Sequence, residues 1–186
     1  MNRYVGVLAP ATVGPLELAM LEDVVDLVAE MAIVQAALVV PEGADDAVTG
    51  VVWPGMPVVP VPDRTLGSVV AALAAIGADE VGVVAPDAPD LPALLLGKLH
   101  SALTSAEVAV CPAEDGRLVA IAARVPLAAW MPACTLDDPV DDLRRAAPRR
   151  ALNVGAGWHR VRDERDAQRL DPGLEGWEHT RALLAR

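Results

Sequence analysis

The chain has no phenylalanine, a single lysine and two cysteines among 186 residues, and aromatic residues make up 3% of it. Without aromatic bulk, the core must come from Ala, Val, Leu and Ile within a hydrophobic content of 53%. Aliphatic layers of this kind suit a parallel sheet covered on both faces. Cys111 and Cys134 have neither CxxC spacing nor a histidine nearby in sequence. That excludes a zinc-site pattern and a disulfide framework and leaves two buried thiols. No apolar run approaches the roughly 20 residues that span a bilayer, and Met1-Asn2-Arg3-Tyr4 leads into a strand pattern rather than a signal segment. Basic runs with interleaved aromatics are missing too, and the formal charge of -11 would repel a phosphate backbone. Neither nucleic acid nor a membrane is an expected partner, and a cytoplasmic protein is expected. The sequence also lacks a Gly-rich Walker loop, a dinucleotide fingerprint, a Ser-His-Asp order and a metal-binding histidine cluster.

What is present is an alternation of short aliphatic runs and helical periodicity. Tyr4 to Ala9 has a strand pattern, and Pro15 to Met31 repeats apolar residues at helical spacing through Leu16, Met20, Val24, Leu27 and Met31. Glu22, Asp26 and Glu30 form an acidic stripe on that helix, expected to face solvent. Val34 to Val40 is a second strand, and Pro-rich Val58 to Val61 is confined to an edge. Thr65 caps a helix over Leu66 to Ile76, stopped by Gly77. Glu80 to Ala85 is a strand, Pro92 to Leu103 a helix with proline in its first turn, and Glu107 to Cys111 a further strand. Arg117 to Arg124 reads as a strand that runs back. Shorter helices are expected over Leu127 to Met131, Pro139 to Ala146, Glu164 to Leu170 and Leu174 to Leu184, and a last strand over Trp158 to Arg162. Such alternation predicts one domain over residues 1–186, a three-layer α/β/α arrangement with a mostly parallel mixed sheet.

Two acidic turns follow strand-like runs directly: Asp87-Ala88-Pro89-Asp90-Leu91-Pro92 and Pro112-Ala113-Glu114-Asp115-Gly116. In open α/β sheets ligands gather beyond the carboxyl ends of strands, so both turns are candidate site elements. Asp87 is equally a turn residue or helix cap ahead of Pro92, and Glu114 and Asp115 equally a solvated turn.

Together with Leu66-Gly67 and Val83-Val84-Ala85-Pro86, these turns resemble the radical-SAM/selenodomain-associated transferase family, whose members show an Asp-x-Pro-Asp-Leu turn and a Pro-Ala-x-Asp-Gly-Gly turn in this order. The likeness covers Leu66 to Leu170. It implies a glycosyltransferase-A (GT-A) fold, distantly similar to the molybdenum-cofactor and phospholactate guanylyltransferases. It further implies a nucleotide or nucleotide-sugar at the C-terminal edge of the sheet, with Mg²⁺ or Mn²⁺ bridging the phosphates and Asp87 as metal ligand. Pro89, Asp90, Glu114 and Gly116 would belong to the binding turns, Asp115 would approach the acceptor or sugar, and Gly116 would serve a close-packed turn.

The chain departs from that pattern in three places. Where the family has a lysine-rich loop to receive phosphates, this sequence has Ala9-Pro10-Ala11-Thr12-Val13-Gly14, and its lone Lys98 falls in a predicted helix. Where the family has Asp-Val-Asp, this chain has Arg160-Val161-Arg162, and Arg117 replaces the second glycine of the acidic turn. Alternate residues of a strand share a face, so Arg160 and Arg162 are expected to point together. They either hold phosphate or carboxylate without metal or pair with Asp87 or Asp115. His159 is a candidate general acid or base, or a packed residue beside Trp158. Two further readings stand beside a transferase: a catalytically inactive relative that serves as a ligand-binding or protein-interaction module, and a homo-oligomer with Trp53, Trp130, Trp158 or Trp177 at its interface.

Overall fold

In the computed structural model, which describes residues 1–10, 12–131 and 133–186, short aliphatic runs become strands and the periodic segments between them become helices. Ala11 of the expected phosphate loop and Pro132 lie outside the described residues. The strands are β1 (Arg3–Leu8), β2 (Gln35–Pro41), β3 (Val58–Val61), β4 (Glu80–Val84), β5 (Val108–Pro112), β6 (Leu118–Arg124) and β7 (Leu152–Val154). The helices are α1 (Pro15–Glu30), α2 (Leu66–Ala75), α3 (Ala93–Ala102), α4 (Val140–Ala146), α5 (Glu164–Ala167) and α6 (Glu178–Leu184). The strands form one sheet in the order β3-β2-β1-β4-β6-β5-β7. All neighbours are parallel except β6, which runs antiparallel between β4 and β5.

Side chains alternate across the sheet and feed two aliphatic layers. Val5 and Val7 of β1 join Leu21, Val24, Val25 and Val28 of α1 and Leu96 and Leu99 of α3. On the opposite face Leu8 joins Val69, Val70 and Leu73 of α2 and Val140 and Leu143 of α4. Fully burying one Val or Leu stabilises by about 1.5–3 kcal/mol, which outweighs the few tenths lost to each like-charge pair on α1. The acidic stripe of α1 is only partly solvated, a correction to the expectation. His179 of α6 sits 3.2 Å from Glu22 and 3.0 Å from Asp26, and the Trp53 indole donates to Asp26 at 2.6 Å.

The chain turns back at β1. From β1 it builds outward through β2 to β3, then crosses to the other side of β1 to lay down β4. The β1–β4 boundary is therefore the topological switch point, where the loops beyond the carboxyl ends of neighbouring strands diverge and open a crevice.

Several elements differ from the expectations. Leu127 to Met131 is irregular, with one Met131-to-Ala128 backbone bond; five residues are too few to offset the cost of helix nucleation. Trp158 to Arg162 is not a strand. β7 already occupies the place beside β5, and only Trp158 bridges to Ala113 before the chain leaves the sheet, where Val161 N–H donates to the Asp87 carbonyl at 2.7 Å. α5 and α6 are shorter than predicted, α6 starting beyond Gly176, whose φ is 95°. Pro92 stands at the cap of α3, with ψ 130°, rather than in its first turn. Cys111 and Cys134 are buried free thiols, and burial pushes both up to about 11. Among the described residues no helix is long and apolar enough to cross a membrane.

Candidate functional site

A cleft of about 280 Å³ opens over the carboxyl edge of the sheet. Pro10 and Thr12 reach it from beyond β1, Arg64 from beyond β3, Pro86 and Asp87 from beyond β4, and Arg117 from the turn before β6. Arg160 to Arg162 cross its mouth. Four guanidinium groups, of Arg64, Arg117, Arg160 and Arg162, thus meet three carboxylates, of Glu17, Asp87 and Asp137. The chain as a whole carries a charge of -11, so this concentration of arginine is local.

Arg160 is the most constrained of the four, with its side chain 4% exposed. Nε donates to Asp87 Oδ1 at 2.6 Å and Nη2 to Asp87 Oδ2 at 2.9 Å, the parallel fork that guanidinium and carboxylate geometry favours. Nη1 donates to the carbonyls of Leu118 and Leu136 at 3.2 and 3.3 Å and lies 2.9 Å from Asp137 Oδ1. Arg162, expected to point the same way, diverges because the segment is not a strand. It pairs with Asp166 at 3.2 Å at the exposed rim.

The second acidic turn is fastened from inside. Asp115 accepts Arg117 Nε at 2.8 Å, and Arg117 Nη1 reaches Asp137 at 3.3 Å. The Arg117 guanidinium holds the Asp115 carboxyl below its ordinary range. Gly116 is explained by its φ of 87° and not by crowding, since a Cβ there would meet nothing within 4 Å. Pro89 and Asp90 do not line the cleft. Pro89 is buried in the turn, and the Asp90 carboxylate, wholly buried, faces the interior. There Oδ1 accepts the Trp158 indole at 3.1 Å and lies 2.8 Å from His159 Nε2, the latter an ion-pair contact rather than an aligned hydrogen bond. His159 stacks on Trp158 with ring centroids 4.9 Å apart. Asp90 raises the His159 pKa and thereby favours the imidazolium.

His159 and Glu114 line a separate hollow of about 250 Å³ that shares Arg160, Val161 and Arg162 with the cleft. Asp87, Asp115, Glu114, His159, Arg160 and Arg162 are therefore gathered at one edge of the sheet, Asp115 lining a third, smaller hollow that shares Glu114, His159, Arg160 and Arg162 with the second. Trp177, 5% exposed, packs with Val161, Ala167 and Leu170.

Asp87 does not fit a resident Mg²⁺ or Mn²⁺. Both of its oxygens are taken by Arg160, and among the described residues no three His, Cys, Asp or Glu side chains gather into a metal-holding group. Loop residues Pro10 and Thr12 bring no charge, and the Glu17 carboxylate accepts the Gly14 N–H at 3.0 Å at the start of α1.

No protein-family model and no curated protein matches the chain. Solved structures do. A protein assigned as a nucleotide-diphospho-sugar transferase from Desulfovibrio desulfuricans G20 superposes with a TM-score of 0.69 at 18% identity, over 100% of this chain and 96% of its own. Rv0371c from Mycobacterium tuberculosis H37Rv, in complex with manganese, gives 0.68 at 21%, over 94% and 100%. Glucosyl-3-phosphoglycerate synthase from Mycobacterium tuberculosis, with Mg²⁺ and uridine diphosphate, gives 0.62 at 19%, over 89% and 73%. The fold is that of the GT-A nucleotide-diphospho-sugar transferases. Within this GT-A fold, sequence reasoning missed two residues that shape the cleft, Arg64 and Asp137. Arg64 follows a parallel strand directly, so the rule that singled out the two acidic turns applied to it as well.

Proposed function

We propose that the chain binds a nucleotide or nucleotide-sugar by its phosphates in the arginine-lined cleft, as a divergent nucleotidyl- or glycosyltransferase-like protein related to the radical-SAM/selenodomain-associated transferases. The observation that carries this reading is Arg64. Its guanidinium is partly buried in the cleft, donates to the Ala9 carbonyl, and has no carboxylate in ion-pair range among the described residues. Burial works against its charge, and a phosphate oxygen would supply the charge-assisted hydrogen bonds that desolvation removed. Arg162 is held only by an exposed pair with Asp166, which costs little to exchange for a ligand anion. The position at the switch point and the uridine diphosphate of one structural neighbour support the same ligand class.

In this reading the hollow beside the cleft receives the acceptor. His159 lines it, and the buried Asp90 raises its pKa and favours the imidazolium, which suits a general acid there and a general base once deprotonated. Asp115 acts by fixing Arg117 at the rim, Asp87 by fixing Arg160, and Glu114 borders the acceptor side. No step passes through Mg²⁺ or Mn²⁺, since the donor set does not fit a resident cation.

Calorimetric titration with a panel of nucleoside di- and triphosphates and sugar nucleotides tests the reading. Saturable binding that weakens tenfold or more in Arg64→Ala is the expected result, since losing a charge-assisted hydrogen bond costs about 1.5–3 kcal/mol. Silence across the panel would refute it and leave the second reading, an inactive ligand-binding or protein-interaction module. That reading draws on the neutralised Asp87 and on Lys98, exposed on α3 and absent from the cleft lining.

A further inference from the structure

The cation that the GT-A resemblance places at Asp87 is already there, in covalent form. The Arg160 guanidinium is surrounded by five oxygens: both of Asp87, the Leu118 and Leu136 carbonyls, and one of Asp137. A hard divalent ion asks for about six oxygens, partly from water; a guanidinium offers five N–H donors. The cage is thus all oxygen, with Nε and Nη2 each on one Asp87 oxygen and Nη1 facing the other three. With its side chain 4% exposed, Arg160 is held as a buried structural cation, while Arg64 is half-buried and Arg162 exposed where they line the cleft.

We propose that Arg160 is the resident cation of this site and that the diphosphate of a nucleotide is bound beside it without a divalent metal. The inference rests on the nucleotide reading of the cleft. It assigns Arg160 as a positioning residue. By neutralising Asp87 and part of Asp137 it removes the carboxylate field that would otherwise repel phosphate, and it leaves Arg64, Arg117 and Arg162 as the groups that meet the anion. Charge supports the division: without Arg160 the cleft would set three guanidinium groups against three carboxylates. A free metal would have to displace a tethered cation from both Asp87 oxygens before reaching them.

Two arms on the folded, full-length protein test this. In the first, Mn²⁺ alone is added and its electron paramagnetic resonance signal followed. The wild type should leave the signal of free Mn²⁺ intact, whereas Arg160→Ala, with the cage emptied and two carboxylates exposed, should bind Mn²⁺. In the second, affinity for uridine diphosphate is measured in EDTA and in Mn²⁺. The two values should agree within about twofold for the wild type. Arg160→Ala should lose tenfold or more in EDTA and regain part of it with Mn²⁺, a rescue that a merely structural role would not give. If Arg160→Ala does not fold, the wild-type measurements decide alone. Stoichiometric Mn²⁺ binding by the wild type that disappears in Asp87→Asn, or a tenfold gain in nucleotide affinity with Mn²⁺, would overturn the proposal. Failure of every nucleotide to bind in either condition would refute the nucleotide reading instead, with the Mn²⁺ signal still deciding which cation occupies the cage.

Discussion

Replacing Arg160 by methionine should cost the fold much more than removing the charge of its partner. Arg160 is 4% exposed, and its loss leaves the carboxylate of Asp87, 20% exposed, and that of Asp137, 49% exposed, beside the Leu118 and Leu136 carbonyls, of which Leu136 keeps the Leu118 N–H. Breaking a buried pair by deleting one partner costs about 3–5 kcal/mol. Both carboxylates keep some contact with water, so the lower end applies, about 3 kcal/mol. For a chain of this size each kcal/mol moves the melting temperature by about 2–4 °C, giving a fall of about 6–12 °C. Asp87→Asn leaves Arg160 with Asp137 and both carbonyls, and about 1 kcal/mol is expected. The double variant Arg160→Met/Asp87→Asn removes both charges together, and about 2 kcal/mol of the loss should return as coupling. Urea denaturation of the four proteins at neutral pH, with calorimetric melting alongside, reads all three numbers. A loss below about 1 kcal/mol for Arg160→Met, or single-variant losses that simply add in the double variant, would refute the buried-cage account.

Other expectations follow from the C-terminal clasp, the sheet and the histidine. Asp23 of α1 is 1% exposed and accepts the backbone N–H groups of His179 and Thr180 at 2.8 and 2.9 Å; burial pushes its pKa from 3.8 up to about 6. The folded state then binds the proton more tightly than the unfolded chain. Its contribution to stability should therefore decline as pH rises from about 4 to about 6, by about 3 kcal/mol, and stay level above. His179, raised by Asp26 and Glu22, adds stability that is complete below its ordinary 6.5 and fades as pH rises through its folded pKa. Urea midpoints across pH should show the decline in the wild type and a flatter curve in Asp23→Asn; identical slopes would sink the assignment. Gly6→Ala would place a Cβ 2.7 Å from Val39 Cγ2 and 3.0 Å from Leu73 Cδ1, an overpacking worth about 1–3 kcal/mol; an unchanged urea midpoint would show that α2 packs less closely on β1 than described. Nuclear magnetic resonance should find His159 titrating above 6.5 and moving down in Asp90→Asn, and no change in that variant would detach Asp90 from the imidazole.

The layers of the fold were legible because burial on both faces leaves a strong trace in sequence. Glu80–Val84 and Val108–Pro112 are nearly unbroken aliphatic runs, and α1 repeats its apolar residues at helical spacing. Polar segments left weaker traces. Trp158 to Arg162 has strand-like alternation, yet its backbone donor at Val161 goes to the Asp87 carbonyl, a tertiary bond that no local pattern announces. β7 escaped notice because three residues carry no periodicity. The acidic turns were visible as carboxylates at strand ends, but the partner of Asp87 was left open between metal and arginine. That choice depends on where residue 160 falls, 73 positions further along the chain, and only the fold fixes it. The resemblance gives the positive charge to the loop after β1, whereas in this chain Arg64 enters the cleft from beyond β3.

A crystal structure of the protein grown with uridine diphosphate and Mn²⁺, with anomalous data collected at the manganese edge, tests the central claim most directly. The account predicts the diphosphate in the cleft at the carboxyl edge of the sheet, in contact with Arg64 and Arg162, Arg160 still forked on Asp87, and no anomalous peak beside it. An anomalous peak on Asp87 with Arg160 displaced would contradict the resident guanidinium, and a diphosphate seated away from Arg64 would contradict the site itself.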